Sequence, residues 1–181
     1  YLAISGGGAN GAFGAGLLSG WSVAGTRPEF TMVTGVSTGS LIAPFAFIGT
    51  DEAYASVVEF YANPEPNWVK KRGALAFLPK HVSMMNTCHL QDTIRESVNA
   101  PLVEAMAAGS AEDRLLLIGM TNLDVGAGRA INTGRDAQEA LDSGNFDRIH
   151  SALLASSAIP GGFPPIVIDG MYYADGGATS N

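Results

Sequence analysis

Strand-like runs alternating with helix-like ones predict an α/β domain of three layers, α/β/α, with a mostly parallel central sheet. Three observations carry that expectation. Apolar, β-prone runs at 1–5, 31–34 and 114–120 are separated by longer helical stretches. The first two runs end in glycines, Gly6-Gly7-Gly8 and Gly35, with a helix expected after each. The length of 181 residues is that of one domain, which buries roughly 70% of the surface its unfolded chain exposes.

Tyr1-Leu2-Ala3-Ile4-Ser5 reads as a short buried strand. A loop over 6–11 leads to a helix over 12–23, where Gly14 and Gly16 lower the intrinsic propensity but permit close packing. Met32 and Val33 lie in the second strand, and a helix follows from about Thr38, kinked near Pro44. Asp51 caps a helix that runs to about Tyr61. Residues 62–86, with Pro64, Pro66 and Pro79, show little periodicity, as lids, binding loops and linkers do. A helix is expected from Thr87 to about Ala108, interrupted at Pro101. Arg114 to Met120 is a strong central strand, and Ala130 to Thr133 is placed to pair with it through a Gly126/Gly128 turn. Helices follow at 136–141 and 146–155. Finally, Ile166–Ile168 and Met171–Ala174 flank Asp169-Gly170, a two-residue hairpin signal. The whole is expected to be one catalytic domain, 1–181, cut from a longer chain at both ends, because it starts inside an apolar run and stops just past a glycine pair.

Composition excludes several classes. The net charge is −7, and the densest basic cluster is the three residues Lys70-Lys71-Arg72, read as a solvated loop. Nucleic acid is therefore not an expected partner, since neutralising phosphates takes clustered cations. The one cysteine, Cys88, cannot form an intrachain disulfide, and His89 beside it has no suitably spaced companion, so no metal or cofactor is expected. The longest apolar run, Leu41 to Ile48, is broken by Pro44 and falls short of the ~20 residues that span a bilayer. No signal peptide is visible, which leaves a cytoplasmic or peripheral-membrane location as the expectation.

Three motifs carry chemistry. Gly35-Val36-Ser37-Thr38-Gly39 fits G-x-S-x-G between a predicted strand and a predicted helix. That context exposes the serine hydroxyl on a sharp turn, and the glycines remove side chains that would clash there. Gly6-Gly7-Gly8, with Gly11, offers bare backbone N–H groups to an anion such as a tetrahedral intermediate. Gly6, Gly8 and Gly11 equally satisfy G-x-G-x-x-G, and Glu29 lies about where a dinucleotide fold keeps its ribose-binding acid, so a nucleotide-binding domain stays open on these residues. Asp175-Gly176-Gly177 ends the second hairpin strand and supplies a carboxylate. A serine needs a base to become nucleophilic. In an α/β-hydrolase the histidine comes after the acid, whereas His81, His89 and His150 all precede Asp175. Either a histidine lies further downstream or Asp175 itself takes the serine proton.

Taken in order, Gly-Gly-Gly-x-x-Gly, Gly-x-Ser-x-Gly and a late Asp-Gly-Gly resemble the signature of patatin-like phospholipases. Ala155-Ser156-Ser157-Ala158-Ile159-Pro160, followed by Phe163-Pro164-Pro165, resembles that family's block before its aspartate. The resemblance implies a three-layer α/β fold, a Ser–Asp dyad without histidine, and acyl-ester hydrolysis of phospholipid or other acyl-lipid substrates, with contact to a membrane surface. It makes Ser37 the nucleophile and Asp175 the base. Gly6, Gly7 and Gly8 form the oxyanion hole, and Gly11, Gly35, Gly39, Gly176 and Gly177 are motif glycines. It gives no role to the histidines. Many members carry Arg or Lys where this chain has Asn10. The 62–86 segment, with Trp68, Phe77, Leu78, Met84 and Met85, is a candidate acyl-chain entrance or lid.

Overall fold

Two parallel pairings build the centre of the sheet in a computed structural model that describes residues 1–62, 70–71, 85–86 and 88–179. The elements run β1 (Leu2–Ile4), α1 (Gly11–Val23), β2 (Met32–Val36), α2 (Thr38–Ile48), α3 (Asp51–Ala62), β3 (Lys70–Lys71), β4 (Met85–Asn86), α4 (Cys88–Ser97), α5 (Ala100–Ala111), β5 (Leu115–Asn122), β6 (Ala127–Asn132), α6 (Thr133–Ser143), α7 (Asp147–Ser156), β7 (Ile166–Ile168) and β8 (Met171–Asp175). One-turn 3-10 helices sit at Gly8–Asn10 and Gly176–Ala178. The β1–β2 and β2–β5 ladders are parallel. Both crossovers step in the same direction, so right-handed connections carry their helices to one face of the sheet. On that face Val33, Leu116 and Ile118 are fully buried, and α2, α6 and α7 pack over them. On the other face Leu115, Val167 and Tyr172 stay exposed.

The α/β class, with helices packed against a mixed sheet that has a parallel centre, agrees with the sequence expectation. Two hairpins then add antiparallel strands. β6 pairs with Leu117–Asn122 of β5, and β8 pairs with Met120–Asn122. A strand has two edges, so β8 lies on the edge that β2 occupies further back, in the slot β2 leaves free. β2 ends with Val36 opposite Gly119, and β8, running the other way, ends with Asp175 opposite Met120. Two strands from distant parts of the chain thus stop head to head on adjacent residues of β5.

Local chemistry explains the elements and the departures from expectation. The Asp169-Gly170 turn forms as the sequence predicts, with φ of 52° and 77°, the paired positive values of a type I′ hairpin. The helix expected from 87 to 108 is interrupted, as α4 and α5, with the break just before Pro101 and not at it. Asn99 caps α5 by accepting from the Leu102 N–H at 3.3 Å, and Pro101 sits in the first turn, where a missing N–H leaves no bond unmade. Thr133 is not the end of a strand but the start of α6, because Asn132 accepts from the Arg135 N–H at 3.0 Å and turns the chain into a helix. α2 runs through Pro44 to Ile48 and is buried along almost its whole length. Expectations for the 62–86 segment (Trp68, Phe77, Leu78, His81, Met84), for the Lys70-Lys71-Arg72 cluster and for the side chains of Met85, Cys88 and His89 lie outside the described residues. Among the described residues, no helix is long and apolar enough to cross a membrane and no cluster of His, Cys, Asp or Glu could hold a metal.

Candidate active site

Ser37 stands at the junction of β2 and α2 with φ 54° and ψ −127°, a conformation side-chain-bearing residues rarely adopt and one that stores about 1–3 kcal/mol of strain. The surroundings hold it there. Its N–H donates to Ser156 Oγ at 2.9 Å. Its carbonyl accepts from the Ser40 N–H at 2.9 Å, from Ser40 Oγ at 2.6 Å and from Ser157 Oγ at 3.2 Å. The flanking glycines are required by close approach. A Cβ on Gly35 would lie 2.8 Å from the Ala43 Cβ, and one on Gly39 would lie 2.8 Å from the Ser5 carbonyl oxygen and closer still to Ile4. The first turn of α2 therefore rests directly on the ends of β1 and β2.

Asp175 comes to the same point by way of β8. Ser37 Oγ donates to Asp175 Oδ2 at 2.5 Å across 138 positions of sequence. The other carboxylate oxygen, Oδ1, accepts from the Gly177 N–H at 2.8 Å, which fixes the orientation of the group. The Asp175 main chain is anchored too, its N–H to the Ala158 carbonyl at 2.9 Å and its carbonyl to Thr121 Oγ1 at 2.9 Å. Only 6% of Asp175 is exposed. Gly176 fits where a Cβ would come within 2.8 Å of the Gly119 carbonyl oxygen and 2.9 Å of Val36. The structure thus brings Ser37 and Asp175 into direct contact, with no imidazole between them.

The glycine loop, Gly6-Gly7-Gly8, leaves β1 beside this junction, since the start of α2 sits on Ile4 and Ser5. Gly8 has φ 55°, and the Asn10 N–H closes a turn on the Gly7 carbonyl at 3.1 Å. The Asn10 side chain lies over Gly7, where an added Cβ would meet it at 3.3 Å. Glu29 does not join this site. It is exposed and precedes β2, whereas the loop follows β1. In parallel neighbours those positions are at opposite ends, roughly 16 Å apart along a five-residue strand, so the ribose-binding arrangement of a dinucleotide fold is not formed. His150 is likewise elsewhere, its Nε2 2.8 Å from the Val98 carbonyl oxygen.

The model of the patatin-like phospholipase family matches residues 2–181. The chain belongs to the patatin-like phospholipase family. No individual curated protein matches it significantly. The match covers all the elements just described and assigns this patatin-like chain to a family of lipid acyl hydrolases. Within it, the serines of the Ala155–Pro160 block hold the elbow, a role the sequence did not reveal. Ser156 is wholly buried and bridges two backbones, accepting from the Ser37 N–H and donating to the Gly119 carbonyl at 2.6 Å. Thr121 was missed as well. The signal for both was weak, because a small polar residue at a helix end or in a strand has many structural uses.

Proposed function

We propose that this chain is a serine lipid acyl hydrolase of the phospholipase A or lysophospholipase type, a carboxylic ester hydrolase working through a Ser37–Asp175 dyad and an acyl-enzyme. The observation that carries the proposal is the 2.5 Å hydrogen bond from Ser37 Oγ to Asp175 Oδ2. A base must lie within hydrogen-bond reach of the group whose proton it removes, and an O–H···O contact of this length provides that reach without a histidine relay.

In the first half-reaction Ser37 Oγ attacks the ester carbonyl carbon as its proton passes to Asp175 Oδ2. The carbonyl oxygen becomes an oxyanion, held by N–H groups of the Gly6–Gly8 loop. Removing one such donor typically costs about 2.7–4 kcal/mol of transition-state stabilisation. The tetrahedral species collapses, the C–O bond to the alcohol breaks, and Asp175 returns the proton to the departing oxygen. Water then attacks the acyl-Ser37 carbonyl and gives its proton to Asp175, and the second collapse releases the fatty acid and restores the serine. The Gly177 N–H keeps Oδ1 occupied, so Oδ2 remains the basic oxygen throughout. Asn10 is neutral, so any contribution to the oxyanion or to a lipid phosphate from the cation that many members of the family carry there is missing. The substrate is a phospholipid or related acyl lipid, met at a membrane surface.

The test is fatty-acid release from a panel of phospholipids, lysophospholipids and acylglycerols. Wild type should hydrolyse at least one class. Ser37→Ala should be inactive, and Asp175→Asn should lose on the order of 10²–10⁴-fold, the usual contribution of a positioned base. Wild-type turnover in either variant would rule the dyad out.

A further inference from the structure

The residue after Ser37 is gripped from a third element. Thr38 Oγ1 and the Tyr61 hydroxyl lie 2.5 Å apart, and the same hydroxyl lies 3.3 Å from the Thr38 carbonyl oxygen. One phenol therefore engages both the side chain and the main chain of the first residue of α2. Gly11, the first residue of α1, is buried against this pair. A Cβ there would come within 2.6 Å of Thr38 Oγ1 and 2.6 Å of the Tyr61 hydroxyl. The exit of the glycine loop, the start of the helix behind Ser37 and the last turn of α3 thus converge on one hydroxyl. The ring is braced edge-on by Phe60, with centroids 5.1 Å apart. Burial pushes the phenol pKa up, only partly opposed by the bond to Thr38, so the group stays a neutral donor.

We propose that Tyr61 is a positioning residue for acyl transfer: its hydroxyl locks the first turn of α2 against the exit of the glycine loop and so fixes the gap between Ser37 Oγ and the loop's N–H groups. The inference rests on the Ser37–Asp175 reading above. It assigns Tyr61 no contact with the reacting atoms. Its leverage comes from geometry, because misplacing a reacting group by about 1 Å costs on the order of 100-fold in rate.

The experiment compares wild type, Ser37→Ala, Tyr61→Phe, Thr38→Val, Thr38→Ser and the Tyr61→Phe/Thr38→Val double variant. A soluble p-nitrophenyl ester reports kcat and KM, and a fluorophosphonate titrates competent sites. Tyr61→Phe keeps the ring and loses only the hydroxyl. Per titrated site its kcat should fall on the order of 10-fold, with KM unchanged and the phosphonylation rate lowered by a similar factor. Thr38→Val should match it, Thr38→Ser should recover most of the loss, and the double variant should fall no further than either single one. A purely structural role would reduce the number of titratable sites and leave kcat per site alone. Wild-type kcat per site in Tyr61→Phe, or additive losses in the double variant, overturns this inference while an inactive Ser37→Ala leaves the dyad standing. Turnover retained in Ser37→Ala overturns the dyad and this inference with it. Should Tyr61→Phe lose its fold, the comparison of Thr38→Val with Thr38→Ser reads the same contact from the other side, and equal kcat in those two overturns it.

Discussion

Ser156→Ala removes one oxygen from the interior and two hydrogen bonds with it. The side chain is fully buried and joins the Ser37 N–H, at 2.9 Å, to the Gly119 carbonyl, at 2.6 Å. Alanine leaves a donor and an acceptor without that partner. Each stranded group costs about 1–3 kcal/mol, and both bonds are only partly shielded, so the lower part of that range applies. The sum is about 2–4 kcal/mol. For a chain of this length that corresponds to a melting-temperature drop of roughly 5–15 °C. A second effect should accompany it. Ser37 holds φ 54° only because its neighbours oppose relaxation, and the Ser156 bond is one of those restraints. Once it is gone, Ser37 Oγ drifts from Asp175, and the fluorophosphonate labelling rate should fall on the order of 10- to 100-fold at temperatures where the variant is still native. Calorimetry and labelling kinetics on the same preparation read the two effects separately. An unchanged melting temperature would refute the burial reasoning. A lowered one with an unchanged labelling rate per native molecule would refute the link to the elbow.

Two glycines should respond to the same substitution with opposite signs. Gly39→Ala drives a Cβ into the main chain of Ile4 and Ser5, which cannot move aside, and should destabilise by about 3 kcal/mol or more. Gly16→Ala meets open space in α1 and should stabilise by roughly 0.5–1 kcal/mol; chemical denaturation compares them. Tyr54 and Tyr61 have phenol pKa values raised chiefly by burial, so of the five tyrosines these two should ionise last in a spectrophotometric titration. The sign follows from linkage: their contribution to stability is complete below the unfolded value near 10 and is lost as pH rises through the folded values. Tyrosinate absorbance appearing in a single step at the ordinary pH, with the fold intact, would contradict this.

What the sequence made legible was local. A serine between two glycines at a strand-to-helix turn has one plausible geometry, and Ser37 adopts it. Asp169-Gly170 specifies a turn by its own backbone preferences, and the turn forms. The meeting of Ser37 with Asp175 had no local signal of its own. It depends on β8 taking the slot on β5 that β2 leaves free, which joins two side chains 138 positions apart, and only the order of the motifs pointed to it. The interruption expected at Pro101 falls just before it, between Ser97 and Ala100, because a proline fits the first turn of a helix and so marks a start. Ser156 and Tyr61 look in sequence like a helix-end hydroxyl and a core aromatic; their roles exist only once α3, α7 and the elbow are packed together.

The proposed chemistry stands on Ser37 as the nucleophile and Asp175 as its base. The most direct measurement is peptide mass spectrometry after reaction with a fluorophosphonate. Wild type should carry a single adduct on Ser37, Ser37→Ala none, and Asp175→Asn a greatly slowed one. An adduct on another residue, or an undiminished labelling rate in Asp175→Asn, would contradict it.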